Sequence, residues 1–96
     1  MCYTYLVLFE WEPSKAAANK RKHGVSFEEA AECFQDPLAL LLEDPRYADR
    51  SILIGSSQRQ RLILTVFVEC DAAVIRIISA RRATMQERRK YEQGDY

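Results

Sequence analysis

The chain has 96 residues, 48% of them apolar, which suits one domain spanning residues 1–96 with a core built from two layers of secondary structure. Fourteen Lys/Arg balance fourteen Asp/Glu, and a formal charge of zero argues against a broadly basic nucleic-acid-binding surface. No apolar run approaches the roughly 18–20 residues of a membrane span, no signal-peptide pattern opens the chain, and Cys2, Cys33 and Cys70 lack metal-like spacing; a cytoplasmic protein with reduced thiols, no metal and no cofactor is expected.

Residues 3 to 11 alternate as a half-buried strand does, with Tyr3, Tyr5, Val7, Phe9 and Trp11 on one face and Thr4, Leu6, Leu8 and Glu10 on the other. Pro13 then suits the first turn of a helix, because its missing N–H would be unpaired there anyway. Lys20, Arg21, Lys22 and His23 crowd that helix's last turn, where cations complement the macrodipole, and Gly24 supplies the left-handed stop. Ser26-Phe27-Glu28-Glu29 reads as a capping box opening a second helix, with Phe27, Ala30, Ala31 and Phe34 as its apolar stripe and Asp36-Pro37 as its end. Four strands follow, over 38–42, 51–55, 61–69 and 74–80. The short polar connections Ser56-Ser57-Gln58 and Cys70-Asp71-Ala72 predict an antiparallel meander. Thr84-Met85-Gln86-Glu87 is a further capping box, opening a basic C-terminal helix. The order predicts an α+β fold, an N-terminal strand and helical pair followed by a four-stranded antiparallel meander and a C-terminal helix, with one sheet face covered and the other open.

The neutral total conceals a segregation. Lys15, Lys20, Arg21 and Lys22 form a basic cluster, residues 28–49 carry seven acids against Arg46 alone, and residues 50–90 carry nine bases against three acids. Ten of the 14 bases are arginines, whose planar fork binds phosphate or carboxylate in a bidentate manner. In the third meander strand, period-two alternation groups Leu62, Leu64, Val66 and Val68 as the core face, opposite Arg61, Ile63, Thr65, Phe67 and Glu69. In the fourth, Arg76, Ile78 and Ala80 point one way and Ile75, Ile77, Ser79 and Arg81 the other, unless the strand end bends. These arginines have two readings: snorkelling edge residues, or a sheet surface that clamps a phosphate. Trp11 is read as core, with base stacking as the alternative.

An RNA-cleaving site needs a proton acceptor for the 2′-hydroxyl, and arginine cannot serve. His23, Lys22, Glu69, Glu87 and Tyr91 remain as candidates. His23 is the only histidine, and histidine is the side chain whose ordinary pKa lies nearest neutrality.

Several stretches then converge on one family. Phe9-Glu10-Trp11-Glu12-Pro13, Lys15, Asn19, Lys22-His23-Gly24-Val25-Ser26-Phe27-Glu28-Glu29-Ala30 and Phe34-Gln35-Asp36-Pro37 resemble the BrnT toxins of type II toxin–antitoxin systems. So do Arg50, Gly55, Arg61-Leu62, the run Arg76-Ile77-Ile78-Ser79-Ala80-Arg81, Ala83, Glu87-Arg88 and Tyr91-Glu92, in this order, although Arg82 departs from the pattern. The resemblance implies a RelE-like fold and a ribonuclease that stops growth by cutting RNA. It also implies a BrnA-type antitoxin with a ribbon-helix-helix domain, with promoter DNA bound only by the toxin–antitoxin complex. The matching site residues are Lys22, His23, Arg61, Arg76 and Arg81.

The expected chemistry is metal-independent cleavage in which the arginines hold the scissile phosphate, His23 or Lys22 moves the proton, and a 2′,3′-cyclic phosphate is formed. The rival expectation is a non-catalytic, Arg-rich module that docks an acidic partner or RNA. Direct DNA binding is disfavoured, because no recognition-helix pattern is present.

Overall fold

The computed structural model describes residues 7–71 and 73–94. The element order is β1 (Leu8–Glu10), α1 (Pro13–His23), α2 (Phe27–Glu32), a 3₁₀ turn (Cys33–Gln35), β2 (Leu40–Glu43), β3 (Ser51–Ser56), β4 (Leu62–Asp71), β5 (Val74–Arg82) and α3 (Met85–Gln93). The α+β class is as the sequence predicts. Strands β2 to β5 run antiparallel to their neighbours in chain order, but β1 joins β5 in parallel, so the sheet is five-stranded and mixed, ordered β1-β5-β4-β3-β2. Within the described part of the expected first strand, Leu8–Glu10 form a strand; the alternation at Tyr3, Thr4, Tyr5 and Leu6 lies outside the described residues. Among the described residues no helix is long and apolar enough to cross a membrane.

The helix signals translate directly into geometry. Pro13 opens α1 and Gly24 closes it at φ 71°, with its N–H bonded to the Lys20 carbonyl. Ser26 accepts the Glu29 N–H at 3.0 Å, but the expected box is only half formed, because the Glu29 carboxylate turns inward to Ser57 and Arg61. The box at Thr84 and Glu87 is complete. The second helix is shorter than its apolar stripe suggests, tightening after Glu32 into the 3₁₀ turn.

The sheet buries both faces, which corrects the expected single core face. Ile63, Thr65 and Phe67 lie under Val25, Phe27, Ala30 and Cys33, where Phe34 bridges Phe9 and Phe67 by edge-on ring contacts at 5.1 and 4.9 Å. Trp11 packs edge-on against Phe27 at 5.9 Å, the core reading. Leu62, Leu64 and Val66 face the other way, forming a second cluster with Leu40 and Ile54 that Tyr91 and Ala83 partly cover. Both residue sets on β4 are apolar because both faces have something to bury, so alternation alone does not identify the deeper one.

Helix α3 is moored at both ends. Its first turn is tied to β5 through Arg81 and Glu87, and near its end the Tyr91 hydroxyl donates to Asp36 Oδ2 at 2.6 Å. Burial alone would raise the Asp36 carboxyl, yet the Tyr91 hydroxyl and the amides of Ser56 and Leu38 hold it below its ordinary value.

Candidate active site

One irregularity in β5 arranges the site. Val66 pairs with Ser79 but Phe67 pairs with Ile77, so Ile78 is an extra residue, a β-bulge. Beyond it the alternation changes phase. Arg76 lies opposite Val68 and Arg81 opposite Leu64, two β4 residues of the same parity, so both arginines share the face away from α1 and α2. Strict alternation places them on opposite faces; the bulge corrects that expectation.

A cleft of about 320 Å³ opens on this face, lined by His23, Asp44, Arg46, Ser79, Arg81 and Glu87 over an apolar floor that includes Leu64 and Val66. His23 arrives there because α1 is fastened to β5. The buried Asn19 amide donates to the Ala80 carbonyl at 2.8 Å and to the Val25 carbonyl at 3.0 Å, while its Oδ1 accepts the Ala80 N–H at 3.2 Å. β1 pairs with Val74–Arg76, so further along that edge of β5 the Asn19 side chain serves Ala80 where no strand does among the described residues.

Arg81 meets Glu87 in a fork, Nη1 to Oε1 and Nη2 to Oε2 both at 2.8 Å, and Nη1 also donates to the Arg82 carbonyl at 3.2 Å. Hydrogen bonds from Arg81 hold the Glu87 carboxyl below its ordinary range despite burial, and the Thr84 amide and hydroxyl add to the effect. Glu87 is therefore a stable anion and a weak proton acceptor. Asp44 is buried against the cleft, its Oδ1 accepting the Arg46 N–H at 2.9 Å, with Arg46 Nε 3.9 Å away. The cleft thus holds two guanidinium groups, two carboxylates and the chain's only histidine.

Of the five residues singled out from the sequence, His23 and Arg81 line the cleft, and Lys22, Arg61 and Arg76 do not. Lys22 is exposed on the turn before His23. Arg61 braces the turn between α1 and α2: its Nε donates to Glu29 Oε2 at 2.9 Å, and its Nη2 donates to Glu29 Oε1 and to the Gly24 carbonyl, the latter at 3.1 Å. Ser57 completes that network, donating to Glu29 Oε2 at 2.8 Å. Arg76 sits further back on β5, where Nη1 contacts Glu10 Oε1 of β1 at 3.3 Å. Asp44, Arg46 and Ser79 were not apparent from the sequence. The Asp-Pro-Arg turn is a readable signal for the first two; Ser79 reaches this face only through the bulge.

The BrnT toxin family model, ribonuclease toxin, BrnT, of type II toxin-antitoxin system, matches residues 11–87, a span that contains the bulge, the Asn19 clamp and every cleft residue. The chain belongs to this family of ribonuclease toxins. Its structure is similar to the 1.1 Å crystal structure of the Brucella abortus ribonuclease toxin BrnT, with a TM-score of 0.64 and 25% identity, covering 85% of this chain and 100% of that one. No curated protein sequence matches the chain significantly.

Proposed function

We propose that this chain is a RelE-like, metal-independent endoribonuclease toxin of the cytoplasm, that its cleavage of RNA stops translation and growth, and that a BrnA-type antitoxin with a ribbon-helix-helix domain neutralises it. Promoter DNA is bound only by the assembled pair. The observation that carries the reading is the convergence of the single histidine and Arg81 in one cleft of a chain from a ribonuclease toxin family. Arg81 holds the scissile phosphodiester and offsets the charge that builds on its oxygens. The ribose 2′-oxygen attacks phosphorus as its proton passes to His23, the P–O5′ bond breaks, and the departing 5′-oxygen takes a proton from solvent water to become a hydroxyl, leaving a 2′,3′-cyclic phosphate. Lys22 adds local positive charge beside His23. Arg61 acts by holding the Gly24 turn that presents His23, and Arg76 by extending the basic face toward a neighbouring phosphate.

Cleavage of a short fluorescent RNA by purified protein tests this. Arg81→Ala is expected to lower kcat by roughly 10²–10³-fold, the usual cost of losing one such donor. His23→Ala lowers it as well, EDTA has no effect, and a 2′-deoxy residue at the cleaved position blocks the reaction. Retarded but uncut RNA is the result that favours the non-catalytic binding module instead.

A further inference from the structure

A guanidinium carries five N–H bonds, and those of Arg81 can be accounted for one at a time. The two on Nη1 go to Glu87 Oε1 and the Arg82 carbonyl, and one on Nη2 goes to Glu87 Oε2. The Nε–H and the second Nη2–H make no hydrogen bond among the described residues. These two form the side edge of the guanidinium and point in parallel, the geometry that accepts two oxygens of one phosphate. Glu87 takes only the end edge.

Glu87 is itself held firmly. Its Oε1 also accepts the Thr84 N–H at 2.8 Å, its own N–H donates to Thr84 Oγ1 at 3.2 Å, and it sits in the first turn of α3, whose other end is tied down by Tyr91 and Asp36. The carboxylate is a fixed post rather than a loose counter-ion.

We propose that Glu87 is the positioning residue of the phosphate site: by gripping the end edge of Arg81 it turns the side edge, Nε–H and Nη2–H, into the cleft as a paired donor for the two non-bridging oxygens of the scissile phosphodiester. This deepens the ribonuclease reading and rests on it. Substrate binds without displacing Glu87, so the ion pair persists in the complex and the arginine loses no further side-chain freedom when RNA arrives.

A double-mutant cycle tests the proposal, with two readouts on purified protein: kcat and KM for a cleavable RNA, and affinity for the same RNA carrying a 2′-deoxy residue at the cut. The variants are Arg81→Ala, Glu87→Gln and the pair. Glu87→Gln keeps an oxygen for the Thr84 N–H, so the helix cap and the melting temperature should survive; Glu87→Asp is the second variant, whose shorter arm cannot hold the fork in register. Both are expected to lower kcat by about tenfold or more with a smaller change in KM, because an untethered guanidinium still binds but is aimed badly. In the Arg81→Ala background, Glu87→Gln should cause no further loss in either readout. Wild-type cleavage by Glu87→Gln, or a loss in uncleavable-RNA affinity that persists without Arg81, overturns the proposal. Wild-type cleavage by Arg81→Ala overturns the ribonuclease assignment of Arg81 itself, so the two failures are distinguishable.

Discussion

The Asn19 side chain satisfies both backbone groups of Ala80, donating to its carbonyl at 2.8 Å and accepting its N–H at 3.2 Å, so that a residue of α1 acts as a one-residue strand beside β5. His23, one helical turn further along α1, depends on that clamp for its place near Arg81. Asn19→Leu leaves the Ala80 N–H and the carbonyls of Ala80 and Val25 without this partner. It is expected to cost about 2–4 kcal/mol in urea unfolding, the scale of a few lost buried hydrogen bonds. It should also cut RNA cleavage well beyond what the residual folded fraction explains. A variant of wild-type stability and activity would show that the clamp is dispensable.

Three carboxylates, Glu29, Asp36 and Glu87, are held below their ordinary values in the folded chain. For Glu29 the leading cause is the Arg61 hydrogen bond, opposed by burial and assisted by Ser57. A carboxyl with a lowered folded pKa binds fewer protons folded than unfolded. The stability it supplies is therefore complete above its ordinary value, near 4.5 for Glu and 3.8 for Asp, and drains away as pH falls through the lower folded value. Urea midpoints should fall steadily below about pH 4.5. Removing one such group with Glu29→Gln should flatten that descent, and an unaltered acid slope would contradict the assignment.

Thr65 is fully buried, yet its hydroxyl has no hydrogen-bond partner among the described residues. An unsatisfied hydroxyl in an apolar layer is a cost that an isosteric methyl removes. Thr65→Val should leave stability unchanged or raise it by about 1 kcal/mol. A melting temperature several degrees lower would reveal a partner that the buried hydroxyl does satisfy in solution.

Gly55 is required for proximity rather than for backbone angle. A methyl group there would lie 2.8 Å from the Cys33 carbonyl oxygen and 3.2 Å from its Cβ. Because the obstruction is backbone, Gly55→Ala should cost about 1–3 kcal/mol as β3 and the 3₁₀ turn move apart. Cys33 is buried, and its thiol is pushed up to about 12 chiefly by that burial. Faster alkylation of Cys33 in the variant would report the same separation.

Local signals in the sequence were readable wherever a short segment contains its own partners. The Gly24 stop, the Thr84–Glu87 box and the meander all depend on neighbours a few residues away or on plain alternation. The failures have a common physical origin in distance along the chain. Glu29 abandons its own helix cap for Arg61, 32 residues away, and β1 pairs with a strand that begins 66 residues after it. Nothing in Val74–Ile78, an almost continuous apolar stretch broken by Arg76, marks where the bulge falls. The candidate site was half legible for the same reason: His23 and Arg81 could be named, but their proximity, and the part played by Asp44 and Arg46, arise only from long-range packing.

The bulge at Ile78 also constrains which length changes β5 can tolerate. Five steps along the chain separate Arg76 from Arg81, an odd number, while four steps separate their partners on β4, an even one. Deleting Ile78 restores equal counting between the strands, and both arginines keep their face. If the N-terminal half of β5 holds its register, Arg81 retains Leu64 as its partner and the cleft survives with a straighter strand. A deletion at Ser79 leaves the same four steps between the arginines, so the strand reaches the same register with Ile78 in place of Ser79 opposite Val66. Single-residue deletions at Ile78 and at Ser79 should thus give the same phenotype, a straightened strand that still delivers Arg81 to the cleft.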